Sequence, residues 1–300
     1  MRLYEALLPY PRIDPVLIHI GPLAIRWYAL AYIAGLLAGW WLVSREIAQK
    51  SLWANPPFKG KAPANAEEIG DLVVWITFGV ILGGRFGWVL FYGLILCGMD
   101  QGAAYCGGLP GAFLSDPIKI VAAWEGGMSF HGGLIGVAVA AWLFSRRRKL
   151  DAFRVGDLVA SVAPIGLFFG RIANFVNGEL WGRPTDVPWA MIFPSRLAGD
   201  VPRHPSQLYE AGLEGLVLFA VLQLGLRKFR WHEKPGLMVA VFFLGYGVFR
   251  TFAELYREPD APFLGPITMG QTLSALMLAV AAYFFWHALV KTKAGGKAKA

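Results

Sequence analysis

Seven stretches of predominantly apolar residues recur along this 300-residue chain, and they limit what it can fold into. They run approximately over 24–43, 71–94, 119–144, 156–175, 208–226, 236–256 and 268–290. Each is close to the ~20 residues that cross a bilayer core. Periodicity alone does not separate such a run from a buried soluble helix, but length and repetition do. The reading is an all-α polytopic membrane protein with seven transmembrane helices. Composition agrees: charged residues are 16%, against roughly 25% in soluble domains. Glycines inside the runs, as in FGVILGGRFGW and HGGLIG, suit close helix packing in lipid. No long-period repeat is evident, so residues 1–290 read as one transmembrane domain, followed by a basic tail, 291–300. The start, MRLYEALLPYPRIDP, holds proline and charge where a cleavable leader needs an apolar core. The first span is therefore expected to direct insertion.

Orientation follows from the basic residues in the connections. Arg45, Lys50, Lys59 and Lys61 lie in the first, Arg146, Arg147, Arg148, Lys149 and Arg154 in the third, and Arg227, Lys228, Arg230 and Lys234 in the fifth. Lys291, Lys293, Lys297 and Lys299 lie in the tail. In a seven-span chain all of these share one side, which is then cytoplasmic. This puts the N-terminus in the periplasm and the C-terminus in the cytoplasm. It also turns the net charge of +8 into a topology and lipid-attraction signal, with no nucleic acid as partner.

Two cysteines, Cys97 and Cys106, are no disulfide framework. Their shared place beyond span two leaves a periplasmic disulfide open. The five histidines are scattered without ligand spacing, and no phosphate-binding GxxxxGK[ST] loop occurs. No metal and no cofactor is expected.

Polar residues that a lipid-embedded helix has no use for carry the functional signal. GRIANFVNGELWGR (170–183) closes a nearly uniform apolar run with Arg171, Asn174, Asn177, Glu179, Gly182 and Arg183. Arg250 and Glu254 end span six, His131 lies in the outer part of span three, and Tyr28 and Tyr32 begin span one. Arg203, His204 and Gln207 lead into span five, and Arg85 sits within span two. Arg171, Asn174 and Gly178 share a helix face, as do Arg250 with Glu254 and Tyr28 with Tyr32. Each has a plain alternative: an ion pair for Arg250–Glu254, a packing role for His131, an interface anchor for Arg171 and Asn174. Together they fall on one side of the membrane from different helices. Charges at that depth face a polar cavity or each other, and arginine's planar fork fits phosphate. The combination points to a phospholipid headgroup.

These blocks resemble the prolipoprotein diacylglyceryl transferase family. GRIANFVNGELWGR looks like its signature, and RWYALAY (26–32), GGRFGWVLFY (83–92), SFHGGLIG (129–136), RHPSQLYEA (203–211) and FRTFAELYREPD (249–260) look like its other blocks, in the family's order. Residues 53–67 and 97–114 look longer than a minimal member needs. The resemblance implies a seven-span bacterial inner-membrane enzyme. It moves the diacylglyceryl group of phosphatidylglycerol to the lipobox cysteine in the signal peptide of a preprolipoprotein, forming a thioether and releasing glycerol 1-phosphate. It also implies site residues: Arg171 and Asn174 at phosphatidylglycerol, His131, Tyr28, Arg250, Glu254, Glu179 and Gly182, with Arg85, His204 and Gln207 among the substrate contacts. Arg171 and Arg250 are expected to stabilise the leaving phosphate, Asn174 and Asn177 to orient the headgroup, and Glu254 to hold Arg250. For the thiol proton two routes stay open: His131 as general base, or an arginine pair lowering the thiol pKa. The rival reading is an anionic-lipid flippase or transporter using the same arginine-lined cavity. Against it stand the one-sided polar cluster and the lack of paired half-helices.

Overall fold

Helices dominate this computed structural model, which describes residues 8–21, 23–97, 113, 116–122, 127–258, 262–264 and 267–291. The chain divides into a smaller unit, residues 63–156, and a larger one, residues 1–62 with 157–300.

In the smaller unit, α3 (Ala66–Trp88) begins where Asn65 and Glu68 cap each other. The Asn65 side chain accepts from the Glu68 N–H at 2.9 Å, and the Glu68 carboxylate accepts from the Asn65 N–H at 2.8 Å. Two donors that the helix start would orphan are thus satisfied. The helix continues through wider turns over Val89–Leu96. After the short turn α4 (Ile118–Val121) comes α5 (Phe130–Arg148), started by Ser129, whose Oγ accepts from the Gly132 N–H at 3.2 Å. Helices α3 and α5 meet through small residues. A Cβ on Gly79 would lie 2.6 Å from the Gly136 carbonyl oxygen, and one on Gly87 would lie 2.6 Å from Gly132 Cα. With hydrogen as the side chain the two backbones touch. Between lipid-immersed helices, van der Waals contact of this kind replaces the hydrophobic drive of water.

The helix expected as a third span differs from that expectation. It starts at Phe130 and ends at Arg148, not 119–144. Gly127 stands at φ +75, a left-handed turn that no α-helix contains, and α4 stops at Ala122, with ψ 65. Arg85 fastens this break: its guanidinium donates to the carbonyls of Lys119, Ile120 (3.0 Å) and Gly127 (3.1 Å) and lies over the Trp88 ring. Cys97 is disulfide-bonded; Cys106 lies outside the described residues.

In the larger unit, an antiparallel hairpin of β1 (Val16–Ile20) and β2 (Leu23–Arg26) turns at Gly21 and runs directly into α1 (Trp27–Ala48). The first helix therefore starts three residues later than expected, because Ala24–Arg26 pair with β1 as a strand. This hairpin and a second, β3 (Pro262–Leu264) with β4 (Ile267–Thr268), are additions to the expected all-helical chain. The remaining helices are α2 (Lys50–Trp53), α6 (Ala152–Val176), α7 (Ser206–Arg227), α8 (Leu237–Ala253) and α9 (Met269–Trp286). Over Ala211–Val217, α7 widens into a π-helical stretch, a local form often met at functional sites. Apolar side chains face outward from both units, among them Trp41 (58% exposed), Phe78 (60%) and Leu276 (61%), as a lipid solvent requires.

Among the described residues, five helices are long and apolar enough to cross a membrane: α1, α3 with its extension, α6, α7 and α9. Helix α8 is apolar but has 17 residues, about 25 Å at 1.5 Å per residue. Helix α5 has 19, with Arg146, Arg147 and Arg148 in its last turn.

One end of the larger unit is tied by a polar network. Glu46, fully buried near the end of α1, accepts from Ser161 Oγ at 3.0 Å and Gln223 Nε2 at 2.8 Å. Asp157 accepts from the N–H groups of Gly236 (2.8 Å) and Val239 (3.1 Å), capping α8. His232 donates from Nε2 to the Leu52 carbonyl and stacks on Phe58.

Two outcomes follow for stability in detergent. Gly136→Leu is expected to cost about 1–3 kcal/mol by overpacking the α3–α5 seam, whereas Gly70→Ala, whose Cβ would meet nothing within 4 Å, leaves stability equal or higher; thermal unfolding separates them. Burial holds the His232 pKa below its ordinary 6.5. The folded state then resists the proton that the unfolded chain accepts, so stability is level above pH 6.5 and falls as pH drops below it. In unfolding series across that range, His232→Gln flattens part of the fall.

Candidate functional site

At the opposite end of the larger unit, the last turns of α6 and α8 and the first turns of α1 and α7 gather the residues that the sequence reading singled out, apart from His131 and Arg85. The helix ending explains how. In GRIANFVNGE, the Gly178 N–H donates to the Phe175 carbonyl at 3.0 Å and the Glu179 N–H to the Asn174 carbonyl at 3.1 Å. This pair of bonds closes a helix around a left-handed residue; Gly178 supplies it at φ +65. The reversal folds Glu179 back over α6, where its Oε1 accepts from Asn174 Nδ2 at 2.8 Å and Asn177 Nδ2 at 3.4 Å. Gly178 leaves a small space beside this turn. It is faced by Pro194 and the Tyr10 hydroxyl, 3.1 and 3.3 Å from where a Cβ would stand.

The arginines are not free. Glu210 and Glu214, one turn apart on α7 and fully buried, face α6 and α8. Arg171 Nη2 lies 2.7 Å from Glu210 and 3.2 Å from Glu214. Arg250 Nη1 lies 3.0 Å from the same Glu210 oxygen, and its Nη2 lies 2.8 Å from Glu254. Arg257 approaches the other Glu210 oxygen at 3.6 Å. Three arginines thus meet three glutamates, and the formal charges balance. Tyr246 is buried beside them, within electrostatic range of Arg171, Arg250 and Glu214. The arrangement holds two guanidinium forks in fixed orientation at one carboxylate, at the cost of making an incoming anion compete with carboxylates for their donors.

The other expected residues lie as follows. Tyr28 and Tyr32 lie side by side with rings tilted at 56° and hydroxyls 3.4 Å apart, and Tyr32 is within electrostatic range of Arg171 and Glu179. Gln207, one turn before Glu210, donates to the Glu179 carbonyl at 2.5 Å. Gly182 is enclosed by backbone: a Cβ there would stand 2.5 Å from the Tyr256 carbonyl and 2.6 Å from His204 Cβ. The loop therefore packs closely against the end of α8 at this point. His204 sits against Tyr209 and Tyr256. The Tyr209 hydroxyl accepts from Trp189 Nε1 at 2.6 Å, which leaves its own proton for His204 Nδ1 at 3.0 Å. Burial also lowers the His204 pKa, so both effects favour a neutral ring. Arg183 and Arg203 lock the loop through the carbonyls of Arg257 (3.0 Å) and Gly182 (3.0 Å). His131 and Arg85 belong to the smaller unit. His131 is the second residue of α5, edge-on to Phe130, and the Arg85 fork serves the carbonyls described above.

Sequence reasoning missed Glu210, Glu214, Arg257 and Tyr246. The first two carried a signal: two acids four apart in QLYEAGLEGLVLF, in a span where acids are rare and functional. Among the described residues, no group of three or more His, Cys, Asp or Glu is placed to hold a metal ion. Glu210→Ala removes the carboxylate shared by Arg171 and Arg250, and is expected to cost about 3–5 kcal/mol by leaving buried charge uncompensated. Thermal unfolding in detergent measures this, and a change under 1 kcal/mol would refute it.

Comparison with known proteins gives the family. The family model for prolipoprotein diacylglyceryl transferase matches residues 15–287. A protein of Rhodospirillum rubrum named phosphatidylglycerol–prolipoprotein diacylglyceryl transferase is 54% identical over 276 residues, covering 90% of each chain. One of the same name from Allorhizobium ampelinum is 49% identical over 287 residues, covering 94% of this chain and 92% of its own. Matched over most of its length by this family model and by relatives at 49 and 54% identity, the chain belongs to the prolipoprotein diacylglyceryl transferases.

Proposed function

We propose that this protein transfers the diacylglyceryl group of phosphatidylglycerol to the lipobox cysteine of preprolipoproteins, the first step of bacterial lipoprotein maturation. The observation that carries the reading is the meeting of Arg171 and Arg250 on one buried carboxylate, at 2.7 and 3.0 Å, at the end of apolar helices. A phosphodiester at lipid depth needs oriented donors of this kind. The names of the matched relatives supply the reaction class and lend no support to a flippase.

Seven helices cross the bacterial inner membrane in this reading, with α5 and α8 as the two short ones. The basic connections lie in the cytoplasm, the N-terminus in the periplasm, and the Arg171–Arg250 end faces the periplasm. The reaction is a displacement at the glyceryl carbon. The cysteine sulfur forms the C–S bond, the C–O bond to phosphate breaks, and the electron pair leaves with glycerol 1-phosphate. Arg171 and Arg250 stabilise the departing phosphate by charge-assisted hydrogen bonds made as its charge grows. Glu210, Glu214 and Glu254 keep both forks in position. Asn174, Asn177 and Glu179 face the headgroup, and Tyr28 flanks it. The substrate thiol, with an ordinary pKa of about 8.5, gives its proton to His131, a role that rests on the SFHGG block and the family resemblance.

Purified protein, phosphatidylglycerol and a lipobox peptide are expected to yield a peptide heavier by one diacylglyceryl group on its cysteine, read by mass spectrometry. Lipid movement without peptide modification would sink the reading. Arg171→Lys is expected to lose roughly 100-fold or more in turnover, because a point charge does not replace the fork. His131→Asn is expected to lose about 10²–10⁴-fold and the acid limb of the pH–rate profile, with lipid binding retained; unchanged turnover would remove His131 from catalysis.

A further inference from the structure

The turn that reverses the chain at Gly178 brings together acceptor atoms that no donor of the described protein serves. Gln207 donates its amide N–H to the Glu179 backbone carbonyl at 2.5 Å. Its Oε1 has no hydrogen-bond partner among the described residues, although the residue is only 1% exposed. Asn177 donates to Glu179 Oε1 at 3.4 Å, and its own Oδ1 is likewise buried and unpartnered there. Glu179 Oε1 takes both asparagine amides, while Oε2 accepts no hydrogen bond among the described residues. Three acceptors, two of them amide oxygens, are thus anchored on Glu179.

An orphaned buried acceptor costs about 1–3 kcal/mol, so a site that keeps two of them gains from a ligand with donors to give. The neighbouring chemistry says which ligand. Asn174 lies one helical turn from Arg171, and Gln207 lies one turn before Glu210. A set rich in cationic donors therefore adjoins a set rich in acceptors. The first suits a phosphate and the second suits hydroxyls, and a phosphoglycerol group carries both on adjacent atoms. We infer that Gln207, with Asn177 and Glu179, reads the free hydroxyls of the glycerol headgroup and sets the preference for phosphatidylglycerol over phospholipids whose head alcohol lacks them. The inference rests on the transferase reading above. Gln207 is thereby a specificity residue that takes no part in bond making.

The test compares phosphatidylglycerol with phosphatidylpropanol, which has the same head carbon count and a chemically similar phosphate leaving group but no head hydroxyl. Both are offered with the same lipobox peptide. Wild type is expected to prefer phosphatidylglycerol in kcat/KM by roughly 10- to 100-fold, the range of one or two lost hydrogen bonds at a polar site. Gln207→Met keeps the side-chain length and removes the acceptor. It is expected to bring the ratio near unity, mainly by slowing phosphatidylglycerol. Taking the ratio within one preparation cancels any difference in folded fraction, and Asn177→Ala serves if Gln207→Met is not recovered. A ratio unchanged from wild type in these variants overturns the inference, as expected if the acceptors take only water. So does a raised KM for the peptide with the lipid ratio intact, which would assign the acceptors to peptide N–H groups. Failure of wild type to transfer anything from phosphatidylglycerol would instead refute the transferase reading itself.

Discussion

The meeting of Arg171 and Arg250 on Glu210 is the constraint to which the surrounding structure answers. A guanidinium among apolar helices is costly unless it is paired and hydrogen-bonded. Glu210 is 1% and Glu214 0% exposed in their side chains, and each arginine reaches at least two carboxylate contacts. The partners come from three helices, so α6, α7 and α8 must hold their depth and rotation relative to one another for the charges to cancel. The wide turns of α7 over Ala211–Val217 begin immediately after Glu210 and contain Glu214. The helix changes its pitch where its two acids face the arginines.

The opposite end of the same helices answers a milder version of the same problem. Glu46 is matched by a serine and a glutamine in place of arginines, and Asp157 by the open N–H groups of α8. Neutral partners hold helices together without offering forks to an anion. The difference in partners, far more than in burial, separates an end fit for phosphate chemistry from one fit for fastening.

The apolar runs were legible because lipid leaves a chain few options: every backbone polar group must be satisfied inside its own segment, and side chains along about 20 residues must be apolar. Boundaries were less so. The expected span at 119–144 absorbed the apolar residues of α4, and only Gly127 and the carbonyl contacts of Arg85 show why the helix begins at Phe130. An arginine in a span reads the same in sequence whether it meets phosphate or a broken helix, and only the structure shows the Arg85 guanidinium on the carbonyls of Lys119, Ile120 and Gly127. Arg171, Asn174, Arg250 and Glu254 stood out by their spacing and depth. Glu210 and Glu214 did not, since attention to cations in search of an anion passes over the acids that orient them.

From the sequence alone came the membrane class, the chemistry of the exceptional side chains and the family. These are matters of composition, period and local motif, and each is carried within a single segment. Only the tertiary structure decided that the arginines are already paired, that Gly178 turns Glu179 back onto Asn174 and Asn177, and that Gly182 is enclosed by the Tyr256 carbonyl and His204. The reason is physical. Whether a buried charge is free or compensated depends on side chains from other helices, here 39 and 40 residues away along the chain for Glu210 with its two nearest arginines, and no local pattern encodes the rotation that brings them together.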